Sequence, residues 1–149
     1  MHMENFDHME ILLAEDSEAD GEMTLRALRR HNIANQVVWV RDGAEALDYV
    51  FGRGQYETRT RRPKLILLDL KMPKVDGLEV LKQLKEDDST RTIPIVIMAS
   101  SAEERDLIEG YRLGVNSYVV KPIGFDQFME TVADLGYFWA LVNQTPPHA

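Results

Sequence analysis

Short apolar runs alternate with amphipathic segments five times along the chain, beginning near residue 9. The apolar runs have the length of strands, and the segments between them repeat apolar residues at the three- and four-residue spacing that is typical of helices. The predicted strands are 9–14, 37–40, 65–68, 93–98 and 117–120, and the predicted helices are 17–31, 44–51, 78–85, 102–113 and 125–142. Ser17 is predicted to cap the first helix, with Asp20 in its first turn.

This alternation predicts an α/β fold of right-handed βαβ units with a parallel sheet. The third apolar run, 65–68, has no polar residue, as expected of a central strand that is covered on both faces. Five units in 149 residues suggest a flavodoxin-like, doubly wound (βα)5 sheet with strand order 2-1-3-4-5. Ligands of such sheets lie beyond the carboxyl ends of the strands.

Composition excludes several classes of protein. The chain is 44% hydrophobic and 28% charged, which is typical of a single globular domain. A formal net charge of -8 argues against binding to nucleic acid, and the absence of cysteine excludes disulfides and thiolate sites. No apolar run is long enough to cross a membrane and no secretion signal begins the chain, so we expect a cytosolic protein without a membrane partner.

Acidic residues and one lysine follow three of the predicted strands. Glu15 and Asp16 follow the first strand, Asp69 the third, and Lys121, with Pro122 after it, the fifth. Each acid alone could be a helix cap or a loop residue, but at one sheet edge three carboxylates repel one another unless a hard cation such as Mg2+ joins them. Asp69 could then act as a carboxylate nucleophile and form an aspartyl phosphate. Mg2+ and the Lys121 ammonium would neutralise the charge on the transferring phosphoryl group.

Three segments resemble the receiver family of two-component signalling. They are 11–16 (ILLAED), 67–73 (LLDLKMP) with Asp76 and Gly77, and 118–122 (YVVKP), and the resemblance covers residues 9–135. It implies that Asp69 accepts a phosphoryl group from a sensor histidine kinase. Gly77 is expected to permit a tight turn before the third helix.

The resemblance also implies roles for the neighbouring residues. Asp16 would bind Mg2+ directly, Glu15 mostly through water, and the backbone carbonyl of Lys71 would be the third protein ligand. Lys121 would contact the phosphoryl group, and its peptide bond to Pro122 would be cis.

The sequence departs from the family at the end of the fourth strand. Receivers carry a Thr or Ser there, whose hydroxyl bonds the phosphoryl group, whereas this chain has Ala99. Ser100 could substitute only if the loop shifts, because consecutive strand side chains point to opposite faces. Otherwise phosphorylation proceeds with weakened or rerouted coupling, since a charge-assisted hydrogen bond is worth roughly 1.5–3 kcal/mol. Tyr118 occupies the position of the receivers' aromatic switch, or is an ordinary strand aromatic.

The predicted organisation is a leader at 1–8, the receiver domain at 9–135, and an apolar extension at 136–149 that continues the last helix and ends rich in proline. Because an exposed apolar cluster usually marks an interface, we expect a homodimer through the tail, with folding back onto the domain as the alternative. The predicted interface residues are Tyr137, Phe138, Trp139, Leu141 and Val142. No effector domain is predicted after the receiver, so output is expected through a protein contact.

The polar loop before the third strand and the Phe-Trp tail resemble the single-domain regulators that accompany bacterial and cyanobacterial phytochrome histidine kinases. That resemblance implies a light-sensing kinase as partner, and a signalling protein that assists its own phosphotransfer and autodephosphorylation rather than an enzyme. One alternative is a degenerate receiver that serves as a scaffold or dimerisation module without accepting phosphate. Another is a phosphatase of the haloacid dehalogenase type, which requires a second aspartate where this chain has Lys71.

Overall fold

The computed structural model describes residues 10–30, 36–58, 62–99, 117–121 and 124–134. Several sequence predictions fall outside these ranges, namely the helix 102–113, the continuation of the last helix after 134, Ser100, Pro122 and the tail residues Tyr137, Phe138, Trp139, Leu141 and Val142. Among the described residues, no helix is long and apolar enough to cross a membrane.

Five strands form one parallel sheet in the order β2-β1-β3-β4-β5. Their bounds are β1 (Glu10–Ala14), β2 (Gln36–Val40), β3 (Leu65–Asp69), β4 (Ile95–Ala99) and β5 (Ser117–Val120). The predicted doubly wound fold and its strand order are confirmed. Since β1 and β3 are neighbours in the sheet, the residues that follow them emerge side by side at its carboxyl edge.

The described helices cover both faces of this sheet, as a doubly wound fold requires. They are α1 (Glu18–Arg30), α2 (Gly43–Phe51), α3 (Gly77–Glu86) and α4 (Phe125–Asp134), with a short 3-10 helix at Gly54–Tyr56. One core cluster joins alternate residues of β1 and β3 to α2 and α3, and the other joins the remaining residues of those strands to α1 and α4. Every residue of β1 and β3 is buried, which confirms the prediction of a covered central strand.

Side chains cap the helices that begin at the carboxyl edge. The backbone N–H of Asp20 donates to the Ser17 hydroxyl at 3.2 Å, so the predicted cap of α1 is confirmed. Asp42 caps α2 and Asp76 caps α3 in the same way. Each cap fixes where the helix starts relative to the strand end that precedes it.

The fourth strand begins two residues later than the sequence pattern predicted. Ile93 and Pro94 precede β4, and the N–H of Ile93 donates to the Thr90 carbonyl in a turn. Pro94 has no N–H to give to a ladder, although its carbonyl accepts a hydrogen bond from Ile66 at 3.0 Å. The apolar character of Ile93 reflects its burial beside the core rather than a place in the strand.

Candidate functional site

The candidate site lies where β1, β3 and β5 end. Glu15 and Asp16 directly follow β1, Asp69 is the last residue of β3, and Lys121 directly follows β5. The register pairs Ala14 with Leu68, so the acids after the two strands emerge next to one another. The structure therefore brings together the four side chains that the sequence pattern placed at this edge.

Carboxylate oxygens of Glu15, Asp16 and Asp69 all lie within 4.8 Å of one another. Glu15 is fully buried and Asp69 is 6% exposed, while Asp16 faces solvent. Three carboxylates this close, with one open side, make a set of hard oxygen donors that suits Mg2+, which usually takes one or two carboxylates and keeps several waters. The donor chemistry of this group thus fits the predicted metal.

Lys121 contacts three acids through its ammonium group. Its Nζ donates hydrogen bonds to Glu15 Oε1 at 3.1 Å and to Asp20 Oδ2 at 3.0 Å, and it lies 3.4 Å from Asp69 Oδ1. The contact with Asp20 was not predicted, because that acid was assigned only to the first turn of α1. Its place in the first turn of α1 was the available signal, because the amino end of this helix directly follows the loop that carries Glu15 and Asp16.

Burial and charge together set the ionisation of the site. Burial, and then the charge of Glu15, raise the pKa of Asp69 to about 7, although Lys121 acts to lower it. Burial acts to lower the pKa of Lys121, but the hydrogen bond with Asp20 and the charges of Asp69 and Glu15 outweigh it and raise the pKa. Lys121 is therefore protonated and positively charged at neutral pH. The raised pKa of Asp69 means that Lys121 alone does not offset the cost of burying a charged carboxylate beside Glu15.

The backbone of Glu15 is held from the side of β2. The indole N–H of Trp39 donates to the Glu15 carbonyl at 2.8 Å, and the Glu15 N–H donates to Val40 at 3.0 Å. Gly21 leaves room for the indole, because a Cβ there would lie 1.9 Å from the Trp39 ring. Arg41 covers the ring with its guanidinium carbon 3.6 Å from the centroid. These contacts fix the loop that carries the first two acids.

The loop that follows Asp69 packs closely against α2 and α3. The N–H of Gly77 donates to the Leu70 carbonyl at 2.7 Å, and a Cβ at Gly77 would lie 2.2 Å from the Asp69 carbonyl oxygen. The expected reason for glycine here was wrong, because Gly77 has no positive φ and serves close approach rather than a turn. A positive φ occurs instead at Lys74, within the same loop.

Gly43 makes the matching contact from α2. A Cβ at Gly43 would lie 1.6 Å from the Val75 carbonyl oxygen, and its N–H donates to Pro73 at 3.4 Å. Two glycine contacts therefore hold the loop in which Lys71 lies. This packing gives the loop a defined backbone path, which the proposed role of the Lys71 carbonyl requires.

The predicted switch positions lie at the ends of β4 and within β5. Ala99 is the last residue of β4 and pairs with Val120, and Tyr118 pairs with Ile97 and is 37% exposed. The strand register thus places an alanine where the resemblance implies a hydroxyl. Both roles considered for Tyr118, switch and ordinary strand aromatic, stay predictions.

Comparison with known proteins gives a family match over most of the chain. A family model described as the response regulator receiver domain matches residues 11–133. Response regulator Rcp1 of Synechocystis sp. is 38% identical over 129 residues, which cover 87% of this chain and 87% of Rcp1. The probable methanogenesis regulatory protein FilR2 of Methanothrix harundinacea is 39% identical over 136 residues, which cover 91% of this chain and 86% of FilR2.

Solved structures agree with the sequence matches. The bacteriophytochrome response regulator RtBRR is 52% identical with a TM-score of 0.82, covering 93% of this chain and 84% of RtBRR. The Mn2+-bound form of Rcp1 is 36% identical with a TM-score of 0.73, covering 93% of this chain and 99% of Rcp1. The fold is therefore shared with proteins that are named as response regulators.

Proposed function

The chain belongs to the response regulator receiver family, and from that premise we propose that it accepts a phosphoryl group on Asp69 from a sensor histidine kinase. One observation carries this proposal, namely the convergence of three carboxylates within 4.8 Å beside an ammonium group that lies 3.4 Å from Asp69. A nucleophilic carboxylate, cation ligands and a fixed positive charge are the parts that phosphoryl transfer needs. Proteins of this family act in signalling, and this chain resembles the phytochrome-linked members.

In the proposed step an oxygen of the Asp69 carboxylate attacks the phosphorus of a phosphohistidine. The new P–O bond makes an acyl phosphate, and the breaking P–N bond leaves its electron pair on the imidazole. Lys121 lies beside Asp69 and stabilises the charge on the phosphoryl oxygens. Because transfer depends mostly on positioning and electrostatics, the packed loops around Glu15 and Asp69 contribute by holding these groups in place.

Mg2+ would be held by Glu15, Asp16 and Asp69 together with the backbone carbonyl of Lys71. When bound it supplies positive charge that neutralises the carboxylates and the transferred phosphoryl group. The need for such charge is visible in Asp69, whose pKa is raised to about 7 mainly by burial. A cation would favour the ionised form that the nucleophile requires.

We propose a phytochrome-type kinase as the phosphoryl donor. The 52% identity to the bacteriophytochrome response regulator RtBRR, which covers 93% of this chain, supports this choice, and it exceeds the 39% identity to FilR2. The pairing is tested by comparing the rate at which this chain takes phosphate, on a time scale of seconds, from a phosphorylated bacteriophytochrome kinase and from a phosphorylated unrelated kinase. Equal rates from the two donors would remove it.

We propose output through a protein contact and a homodimer formed by the segment that contains Tyr137 to Val142. Sedimentation of the full chain and of a chain that ends at Leu135 tests the dimer. A dimer that becomes a monomer on truncation is the expected result. A full-length monomer at micromolar concentration would contradict it.

The phosphoacceptor proposal is tested by incubation with acetyl phosphate and Mg2+, followed by detection of phosphate on the protein that is labile to acid, base and hydroxylamine, as an acyl phosphate is. Wild type should be labelled, whereas Asp69→Asn, which has nearly the same shape, should not. Asp16→Asn should be labelled slowly and regain rate at high Mg2+. An unlabelled wild type would favour the scaffold alternative, and equal labelling of Asp69→Asn would place the phosphate elsewhere.

A further inference from the structure

Asp20 makes the shortest of the three contacts between Lys121 and an acid, with 3.0 Å between Lys121 Nζ and Asp20 Oδ2. Its backbone is fixed within the first turn of α1, because its N–H donates to Ser17 and its carbonyl accepts from Thr24 at 2.9 Å. An acid at this place is ordinarily explained by the helix dipole. The ion pair with Lys121 gives this one a second connection, which reaches across the site to the end of β5.

The three acids around Lys121 differ in what else they can bind. Glu15 and Asp69 belong to the group of carboxylates that fits a cation, and their side chains are 0% and 8% exposed. Asp20 is not a member of that group, and its side chain is 36% exposed. When Glu15 and Asp69 are engaged with a cation, and Asp69 with a phosphoryl group, Asp20 is still able to hold the ammonium.

An anchored ammonium has a physical advantage over a free one. A lysine side chain loses much rotamer freedom when it is fixed, and that loss opposes every contact it makes. An anchor that fixes Lys121 before the phosphoryl group arrives removes this cost from the transfer step. Asp20 is suited to the task because its own backbone is held by two hydrogen bonds.

We propose that Asp20 is a positioning residue for phosphoryl transfer, which holds the Lys121 ammonium beside Asp69 so that it meets the phosphoryl oxygens. The inference rests on the proposed function of Asp69. It adds to the site an acid that acts through Lys121 rather than through the cation.

The first test compares rates of phosphorylation by acetyl phosphate at saturating Mg2+. Asp20→Ala should be slower than wild type by about tenfold, as expected for the loss of a charge-assisted hydrogen bond. Asp20→Asn keeps an acceptor oxygen and should recover most of the rate. Glu22→Gln removes a charge from an exposed position of the same helix and serves as the control, with an unchanged rate.

A double-mutant cycle separates positioning from a general effect of charge or stability. In a Lys121→Ala background, Asp20→Ala should cause no further slowing, because Asp20 acts through the missing ammonium. The Mg2+ dissociation constant should change far less for Asp20→Ala than for Asp16→Ala. If the alanine variant does not fold by circular dichroism, Asp20→Ser takes its place in the cycle.

The outcomes distinguish this inference from the proposed function. A wild type that takes no phosphate removes both. If wild type is phosphorylated and Asp20→Ala is phosphorylated at least as fast, the positioning role is overturned while the proposed function stands. The same conclusion follows if Asp20→Ala slows phosphorylation as much in the Lys121→Ala background as it does in wild type. Loss of rate that appears only when Lys121 is present supports it.

Discussion

Replacing Asp69 with asparagine removes a negative charge from a site that holds three carboxylates close together. The asparagine has nearly the same shape and keeps an oxygen that can face Lys121. In the absence of a divalent cation, the variant should therefore be more stable than wild type at neutral and alkaline pH. Added Mg2+ should stabilise wild type and have a much smaller effect on the variant, because ligands stabilise only the state that binds them.

The size of the effect follows from the pKa of Asp69, which burial and the charge of Glu15 raise to about 7. In the unfolded chain the same carboxyl has a pKa of about 4. The folded state then binds the proton more tightly, so the stability of wild type falls as pH rises from about 4 to about 7. The difference of about three pKa units between the folded and unfolded states corresponds to a free energy of unfolding that is lower for wild type than for the variant by on the order of 4 kcal/mol above pH 7.

Urea unfolding followed by circular dichroism measures this difference at pH 5 and pH 8 in EDTA, and again with Mg2+. The gain in stability of Asp69→Asn should be largest at pH 8 in EDTA and should shrink towards pH 5. Asp88→Asn removes an equivalent charge from a side chain that is 92% exposed and should change little. If Asp69→Asn were equal to or less stable than wild type at pH 8 in EDTA, the electrostatic reasoning about the site would be refuted.

Three further predictions concern packing, pH and coupling. Gly77→Ala should lower the free energy of unfolding, measured in urea, by more than about 2 kcal/mol and should weaken Mg2+ binding, because the added Cβ would lie 2.2 Å from the Asp69 carbonyl oxygen. In the control variant Gly124→Ala the added Cβ would have no atom within 4 Å, so the free energy of unfolding should not change. Burial and then the hydrogen bond to Glu45 raise the pKa of Tyr56 to about 12, above its unfolded value of about 10, so its stabilisation is complete below pH 10 and is lost as pH rises towards 12. The advantage of wild type over Tyr56→Phe, about 1 kcal/mol at pH 8, should accordingly vanish over that interval in urea unfolding. Ala99→Thr should enlarge the change in hydrogen exchange that beryllofluoride causes around residues 117–121, and an unchanged response would show that the missing hydroxyl has no consequence here.

The sequence predicted the sheet and its ligand edge because both follow from rules that act along the chain. Apolar runs and helical spacing define the strands and helices, and the right-handed connection between parallel strands restricts their order. Once that order holds, Glu15, Asp16, Asp69 and Lys121 must emerge at one edge. Their convergence in the structure therefore depended on topology rather than on any single contact.

The contacts that the sequence did not predict depend on how a helix is rotated about its axis. Asp20 meets Lys121, and Trp39 fits against Gly21, only because α1 presents one face to the sheet edge. Periodicity indicates which face is apolar, but it does not fix the position of a polar side chain at the boundary of that face. The role of Gly77 was missed for a related reason, since close approach between two backbones has no sequence signal beyond the glycine itself.

The packing of Trp39 gives this protein an optical signal for its own site. An indole whose N–H is bonded to the Glu15 carbonyl, with Arg41 against its ring, lies within the electric field of the carboxylates. Indole emission shifts with local field, so binding of a divalent cation or a phosphoryl analogue should change the fluorescence of Trp39. The chain has one other tryptophan, Trp139, and a Trp139→Phe variant would report on the site without any attached dye.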